Sequence, residues 1–268
     1  GAENLVEVRK GGGGFREDRA FYGNIVRLNT LTAKEKRVVF NRGDILQFVA
    51  DRDKVVRIGI AQHGLTRTVL HRRDSESDWE EVYSGDFRTA IVPLGFGKNP
   101  DILYVAAPNG DKKALFQFDL KERKLGRMIF AHPKFDVPAG APIVSDKTGK
   151  VLGVRYEADR PQTYWFDKDY QGYQAIIDDA LRGMANDIKN WSRAEDRILF
   201  HSHNEKTIGS YYMLDTSNKK KPRMEKLLDL AGWVDPAKMS PMKSIQYTAR
   251  DGLVIHGYLT IPNGSDGK

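Results

Sequence analysis

The feature that most constrains the fold is a repeat: an apolar or aromatic run ends in an acid or amide, a polar turn follows, and a second apolar run begins. The marker residues are Asn29, Asp74, Asp119, Asp167 and Asp215, so successive repeats are spaced by 45, 45, 48 and 48 residues. A steady period of about 40–50 residues built from short strands is typical of a β-propeller. The sequence therefore predicts an all-β fold in which each repeat is one blade.

Each repeat also carries two strand-like runs before its marker. For example, Ile102–Ala107 and Ala114–Asp119 flank the pair Asn109-Gly110, which is typical of a tight hairpin turn. Four strands per repeat place the blade boundaries near residues 42, 86, 135 and 183. The first repeat, 23–40, has only its last two strands. We therefore predict a partial β-propeller of four-stranded blades, about four and a half in number.

One repeat departs from this pattern. After Asp167 the expected outer strand is replaced by the segment 170–182. In that segment apolar residues recur at helical spacing, namely Ile176, Ile177, Ala180 and Leu181. We predict one inserted helix there.

The marker acids have a local explanation. A carboxylate at the end of a strand can accept hydrogen bonds from the backbone N–H groups of the turn that follows. We therefore interpret these acids as structural rather than catalytic.

Composition narrows the class of protein. At 268 residues, of which 40% are hydrophobic, the chain is long enough for one large domain or two small ones. No apolar run approaches the ~18 residues of a transmembrane helix. The chain has no cysteine, which removes disulfides and thiolate nucleophiles. We expect no membrane partner, and the compartment stays open between the cytoplasm and an exported location.

The net charge of +7 is spread along the chain, with one dense run at Lys219–Lys221. This run lies between two strand-like segments. Charge runs of this kind usually form a solvated surface, so we predict a hairpin tip and no nucleic-acid partner.

Two short motifs suggest ligands. The Gly11–Gly14 run resembles a phosphate loop, but such a loop needs a preceding strand, a following helix and usually a Lys-Ser/Thr pair, whereas Phe15 to Asp18 follow it. We interpret it as a flexible loop. His201 and His203 lie on one face of a predicted strand, where two imidazoles could hold a metal. A third ligand is not evident nearby in the sequence, so we interpret them as an ordinary strand face.

Catalytic groups are not apparent. Glu80 and Glu81 beside Trp79 could anchor a substrate amine, but adjacent residues of a strand point to opposite faces, which favours a polar outer strand. No serine lies in a G-x-S-x-G elbow. We therefore predict no catalytic, cofactor-binding or metal-binding residues in this chain, and no cofactor.

The C-terminal segment breaks the repeat. Ile245–Ala249 and Leu253–Ile261 are alternating apolar runs around the turn-forming pair Asp251-Gly252, which predicts a hairpin. We expect a partial propeller over 1–243 and the beginning of a second domain over 244–268, because the hairpin has apolar side chains with nothing after it to cover them.

This segment resembles the junction into the catalytic domain of the prolyl oligopeptidase family of serine peptidases. The resemblance lies in an extended run, an R-D-G turn and a strand that ends near proline, namely Ile245-Gln246-Tyr247, Arg250-Asp251-Gly252, Gly257-Tyr258-Leu259 and Pro262. Upstream, Ala131-His132-Pro133 and Phe135-Asp136-Val137 are similar to the acylaminoacyl-peptidase-like branch.

The resemblance implies a β-propeller followed by an α/β-hydrolase domain, with the catalytic Ser, Asp and His beyond Lys268. It implies a non-catalytic propeller that gates and orients short peptides, whose partners are the peptide substrate and its own hydrolase domain. The alternative is a non-catalytic propeller scaffold for protein–protein interaction, supported by the repeat and the positive charge. In either case, open blade edges predict self-association, or the tail hairpin folding back on an edge.

Overall fold

The structure is a computed structural model that describes residues 3–8, 23–41, 43–137, 142–158 and 160–265. The Gly11–Gly14 run lies outside these ranges. By internal contacts the chain divides into two compact units, Gly1–Tyr156 and Glu157–Lys268. Among the described residues, no helix is long and apolar enough to cross a membrane.

The first unit consists of short antiparallel strands. They are β1 (Glu3–Val8), β2 (Asn24–Asn29), β3 (Glu35–Val39), β4 (Ile45–Ala50), β5 (Val56–His63), β6 (Thr66–His71), β7 (Glu80–Gly85), β8 (Val92–Phe96), β9 (Ile102–Asn109), β10 (Lys112–Asp119), β11 (Lys124–Phe130), β12 (Ile143–Val144) and β13 (Val151–Glu157). Strands β1–β2–β3 form one sheet, β4–β5–β6–β7 a second and β8–β9–β10–β11 a third. In every sheet the strands follow chain order, as in a propeller blade.

The second unit holds the remaining elements. They are β14 (Pro161–Trp165), α1 (Lys168–Ala180), β15 (Ala185–Trp191), β16 (Arg197–Asn204), β17 (Thr207–Asp215), β18 (Arg223–Asp229), a 3₁₀ turn (Pro236–Lys238), β19 (Met242–Thr248) and β20 (Val254–Thr260). Strands β15–β16–β17–β18 form a four-stranded blade, and β19–β20 form a separate hairpin. The sheet β12–β13–β14 has three strands, and α1 follows it. The fold is a partial β-propeller with one inserted helix, as predicted.

A hydrophobic cluster connects the two four-stranded blades of the first unit. Its members include the fully buried Ile58, Val69, Leu103 and Phe118, from strands β5, β6, β9 and β10. The rings of Tyr83 and Phe118 meet edge to face, with their centroids 6.0 Å apart. Because each such side chain contributes about 1.5–3 kcal/mol when it is buried, the stacked sheet faces are the main source of stability in this unit.

The marker acids have the local role that the sequence predicts. Oδ1 of Asn29 accepts hydrogen bonds from the N–H groups of the second and third residues after it, both at 3.0 Å. Oδ1 of Asp119 does the same at 2.9 Å, and Oδ1 of Asp215 accepts one such bond at 2.9 Å. Asn29 therefore closes the turn between β2 and β3, Asp119 the turn between β10 and β11, and Asp215 the turn between β17 and β18.

Asp167 has the same role in a different context. Its Oδ1 atom accepts hydrogen bonds from the N–H groups of Asp169 and Tyr170 at 3.0 and 3.2 Å, and it is the N-cap of α1. Helix α1 buries Tyr170, Tyr173 and Ile177. The predicted replacement of an outer strand by a helix is confirmed, with the helix beginning and ending two residues earlier than predicted.

The prediction that the first repeat has only two strands is wrong. Glu3–Val8 forms β1 and pairs along its whole length with β2, from Glu3 opposite Asn29 to Val8 opposite Asn24. A glycine-rich segment separates its apolar residues Leu5, Val6 and Val8 from β2, so the sequence repeat does not include them.

The segment that contains His132 forms a corner after β11. Nδ1 of His132 accepts hydrogen bonds from the N–H groups of Lys134 and Phe135, both at 3.1 Å. The imidazole ring also stacks on Phe135 and Tyr156, with centroid separations of 4.9 and 4.7 Å. His132 therefore works as a structural cap, in the manner of the marker acids.

The tail forms the predicted hairpin. Strands β19 and β20 pair in register from Met242 opposite Thr260 to Thr248 opposite Val254. Gly252 in the connecting loop has a φ of 86°, which favours glycine. The two strands pair only with each other among the described residues, so the hairpin does not extend a blade edge there, and self-association stays a prediction.

The turn acids predict a measurable acid sensitivity. The hydroxyl of Ser77, followed by the guanidinium of Arg73, lowers the pKa of Asp74 from 3.8 to about 2. A lowered pKa in the folded state stabilises the protein above pH 3.8, and this stabilisation is lost as the pH falls towards 2. We expect Asp74→Asn to be less stable than the wild type at pH 6, and the difference to shrink as the pH falls to 3, in urea unfolding followed by circular dichroism.

The matched variant is Ser77→Ala, which removes the 2.7 Å hydrogen bond from the Ser77 hydroxyl to Asp74 and should reduce the loss of stability between pH 6 and pH 3. If the difference in free energy of unfolding between the wild type and Asp74→Asn grew as the pH falls, the lowered pKa of Asp74 would be contradicted.

The corner at His132 gives a second prediction. His132→Ala removes two hydrogen bonds and two ring contacts, so we expect the free energy of unfolding to fall by about 1–3 kcal/mol. His132→Asn keeps a hydrogen-bond acceptor but loses the ring, so its free energy of unfolding should lie between those of the Ala variant and the wild type. Equal urea midpoints for the Ala variant and the wild type would show that the corner is not stabilised in this way.

Candidate functional site

The two histidines singled out in the sequence lie on the central strand β16. Residues Ile198, Phe200 and Ser202 point into the core with at most 1% exposure, whereas His201 and His203 alternate with them and are half-buried on the opposite face. The two imidazole rings stack with their centroids 4.7 Å apart and their planes inclined by 17°.

A β-bulge in the neighbouring strand brings a carboxylate to this face. Trp191 pairs with Ile198, and the register then shifts between Ile188 and Asn190, so that Asp187 pairs with His201. If the strand continued in the register of Trp191 without the bulge, Asp187 would lie opposite Ser202, on the core side. A shift by one residue exchanges the two faces of a strand. The bulge therefore puts Asp187 beside the histidines.

The three side chains form a compact group. Oδ2 of Asp187 lies 3.1 Å from Nε2 of His203 and 3.2 Å from Nζ of Lys189. One ligand atom each from Asp187, His201 and His203 lies within 4.8 Å of the others. We name this group the Asp-His-His cluster. The side chains of His203 and Asp187 are 30% and 22% exposed, so solvent reaches the cluster.

His201 is held more tightly than an ordinary surface histidine. Its Nε2 atom lies 2.7 Å from the carbonyl oxygen of Ile208, and its ring packs at 5.0 Å against Tyr211 as well as against His203. Since a carbonyl can only accept, Nε2 carries the proton and Nδ1 keeps its lone pair in the neutral ring. Burial lowers the pKa of His201, which favours that neutral form.

Two imidazoles and a carboxylate are donors that zinc and related metal ions accept. Sequence analysis identified both histidines but not the third donor, because Asp187 lies 14 residues before His201 and meets it only through the bulged strand pair.

A polar cavity of about 220 Å³ adjoins the cluster. Its lining residues are Arg160, Pro161, Gln162, Thr163, Gln174, Asp178, Met184, Ala185, Asn186 and Asp187. Gln174 of α1 donates to the carbonyl of Asn186 at 2.9 Å and to Oδ1 of Asp178 at 3.0 Å. Oδ1 of Asn186 is buried and has no partner among the described residues. The cavity therefore suits a small polar group, and Asp187 belongs to both the cavity and the cluster.

The other sequence-derived residues do not form a site. Glu80 makes an ion pair of 2.5 Å with Arg123, whose guanidinium also donates to the main-chain carbonyl of Glu81 at 3.2 Å. The Lys219–Lys221 run lies in the exposed turn between β17 and β18, as expected for a hairpin tip. The ammonium group of Lys219 pairs with the carboxylate of Asp169, and this hydrogen bond raises the pKa of Lys219.

Comparison with known proteins gives a match at the level of structure. No protein-family model and no curated protein matches the sequence. A prolyl endopeptidase structure matches 98% of this chain with a TM-score of 0.59 and 15% identity, over 38% of its own length. Puromycin hydrolase matches 98% of the chain with a TM-score of 0.57 and 14% identity, over 41% of its length.

Dipeptidyl peptidase 4 of Porphyromonas gingivalis matches 91% of the chain with a TM-score of 0.56 and 12% identity, over 35% of its length. The chain thus spans between 35% and 41% of the length of these three peptidase structures. Identities this low establish the fold alone. In fold, the chain corresponds to the β-propeller portion of prolyl-oligopeptidase-type structures.

Proposed function

We propose that the chain is the propeller portion of a serine peptidase that hydrolyses short peptides, and that it has no peptidase activity by itself. The observation that carries the proposal is the match in fold along 98% of this chain to only 38% of a prolyl endopeptidase. The R-D-G junction at Arg250-Asp251-Gly252 supports the same family. Assignment to the acylaminoacyl-peptidase-like branch is a finer part of this proposal and depends on the segment 131–137.

The exposed hairpin supports the proposal that 244–268 begins an α/β-hydrolase domain. Ile245 and Tyr247 share one face of the hairpin with Ile255 and Leu259, because the pairs are Tyr247 with Ile255 and Lys243 with Leu259. Tyr247 is 59% exposed and Leu259 is 43% exposed. An apolar strip of this kind normally packs against another layer. The occupant we propose is the rest of the hydrolase domain.

In this proposal the propeller acts through access and orientation. A serine in the hydrolase domain would attack the peptide carbonyl, with a histidine as general base and backbone N–H groups stabilising the oxyanion. The propeller would admit only short peptides and would use contacts away from the scissile bond to position them. None of the bond-breaking groups would come from the described residues.

Activity assays test the proposal. We expect the chain alone to leave aminoacyl-nitroanilides intact and to remain unlabelled by a fluorophosphonate probe. Extension of the chain with its downstream coding sequence should produce both activities. Stoichiometric labelling of one serine in the present chain would overturn the proposed inactivity. A coding sequence that continues without a G-x-S-x-G motif followed by Asp and His would instead favour the interaction scaffold.

The hairpin provides a separate test. We expect the double variant Ile245→Ser, Tyr247→Ser to unfold within about 0.5 kcal/mol of the wild type when made in the present chain, since exposed positions have small effects. In the extended protein the same change should lower both soluble yield and peptidase activity. The control is Gln246→Ser on the opposite face of the hairpin. Equal behaviour of the double variant and the control in the extended protein would show that nothing packs on this face.

A further inference from the structure

We propose that the Asp-His-His cluster is a binding site for a divalent transition-metal ion of the zinc class. The proposal rests on the arrangement of Asp187, His201 and His203 and does not depend on the proposed peptidase function. No part of the expected hydrolase chemistry calls for a metal at this position.

The donor set and its spacing fit such an ion. Two donors of a tetrahedral zinc ion, each at 2.0–2.1 Å from the metal, lie about 3.3 Å apart. The separation between Nε2 of His203 and Oδ2 of Asp187 is 3.1 Å, so both can bind one ion with little movement. Imidazole is a ligand for zinc, copper, iron and nickel, whereas calcium and magnesium prefer oxygen donors alone. The cluster therefore selects against the two commonest cellular divalent cations.

Outer interactions of the kind that orient metal ligands are already present. Metal-bound histidines usually donate their second N–H to a carbonyl or carboxylate, which fixes the ring and the tautomer. The bond from His201 to the carbonyl of Ile208 has this form and leaves Nδ1 as the free donor. The ring of His201 packs against both His203 and Tyr211, which further restricts it. The entropic cost of arranging this ligand is thus met by the fold.

One group competes with the ion. Nζ of Lys189 occupies the same oxygen of Asp187 that faces His203, at 3.2 Å. The Lys189 side chain is 43% exposed and can move into solvent when a metal binds. Lys189 therefore weakens the site without supplying a ligand, and its removal is a specific test.

Three protein ligands leave at least one coordination position for water or another small ligand. Asp187 also lines the polar cavity, so a group in that cavity lies next to a cluster member. The ion would link β15 to β16 and would stabilise the folded chain in proportion to its occupancy.

The experiment is titration of the tag-free chain with Zn²⁺ by calorimetry, together with Co²⁺ absorption spectra. We expect one ion per chain and a ligand-field spectrum typical of mixed nitrogen and oxygen ligands. Zn²⁺ at 100 times its dissociation constant should raise the melting temperature by about 5 °C. His203→Ala and Asp187→Asn should each weaken binding by at least about tenfold.

Two further variants make the test decisive. His63→Ala removes an exposed histidine far from the cluster in sequence and should bind Zn²⁺ as the wild type does. Lys189→Met keeps all three ligands and should bind several-fold more tightly, so it decides the question even if the ligand variants fail to fold. Three outcomes would each overturn the proposal. They are absence of stoichiometric Zn²⁺ binding, an equal loss of Zn²⁺ affinity in His63→Ala and His203→Ala, and an unchanged Zn²⁺ affinity in Lys189→Met.

Discussion

The fold depends on burial of one sheet face against the next. A short antiparallel sheet has an apolar surface that its own strands cannot cover, and in the first unit Ile58 and Val69 of one blade bury theirs with Leu103 and Phe118 of the following blade. The chain meets this requirement by repeating the same unit. The inner strands β5 and β9 can therefore be apolar along most of their length, while polar residues and turns lie at the edges.

Features set by local geometry were predictable from the sequence. The marker acids bond to N–H groups two or three residues away, so a period in their positions directly reports the blade period. The helix after Asp167 could be recognised because capping and helical spacing both lie within fifteen residues. Strand β1 was missed for the opposite reason. Its partner β2 lies beyond a long glycine-rich segment, and pairing over that distance leaves no local pattern.

The candidate site also has one part that the sequence predicts and one part that it does not. Two residues apart on a strand, His201 and His203 must share a face, and the sequence alone shows this. The third member depends on strand register, which in turn depends on a bulge at residue 189. No propensity in the run Ile188-Lys189-Asn190 indicates where the register shifts. The capping role of His132 has no sequence signal of this kind, because it depends on the ring stacking on Tyr156 as well as on the local turn.

Because of the bulge, the pairing register of β15 with β16 determines which side chains form the site, and residue identity alone does not. If β15 kept residue 189 but continued in the register of Trp191 without the bulge, Ile188 would lie opposite His201 and Asp187 opposite Ser202 on the core side, although all three donors would still be encoded. A change in where the register shifts is thus enough to create or abolish the cluster. Two related chains with identical aspartate and histidine residues would then differ in metal binding, and a search for the donor residues alone could not tell them apart.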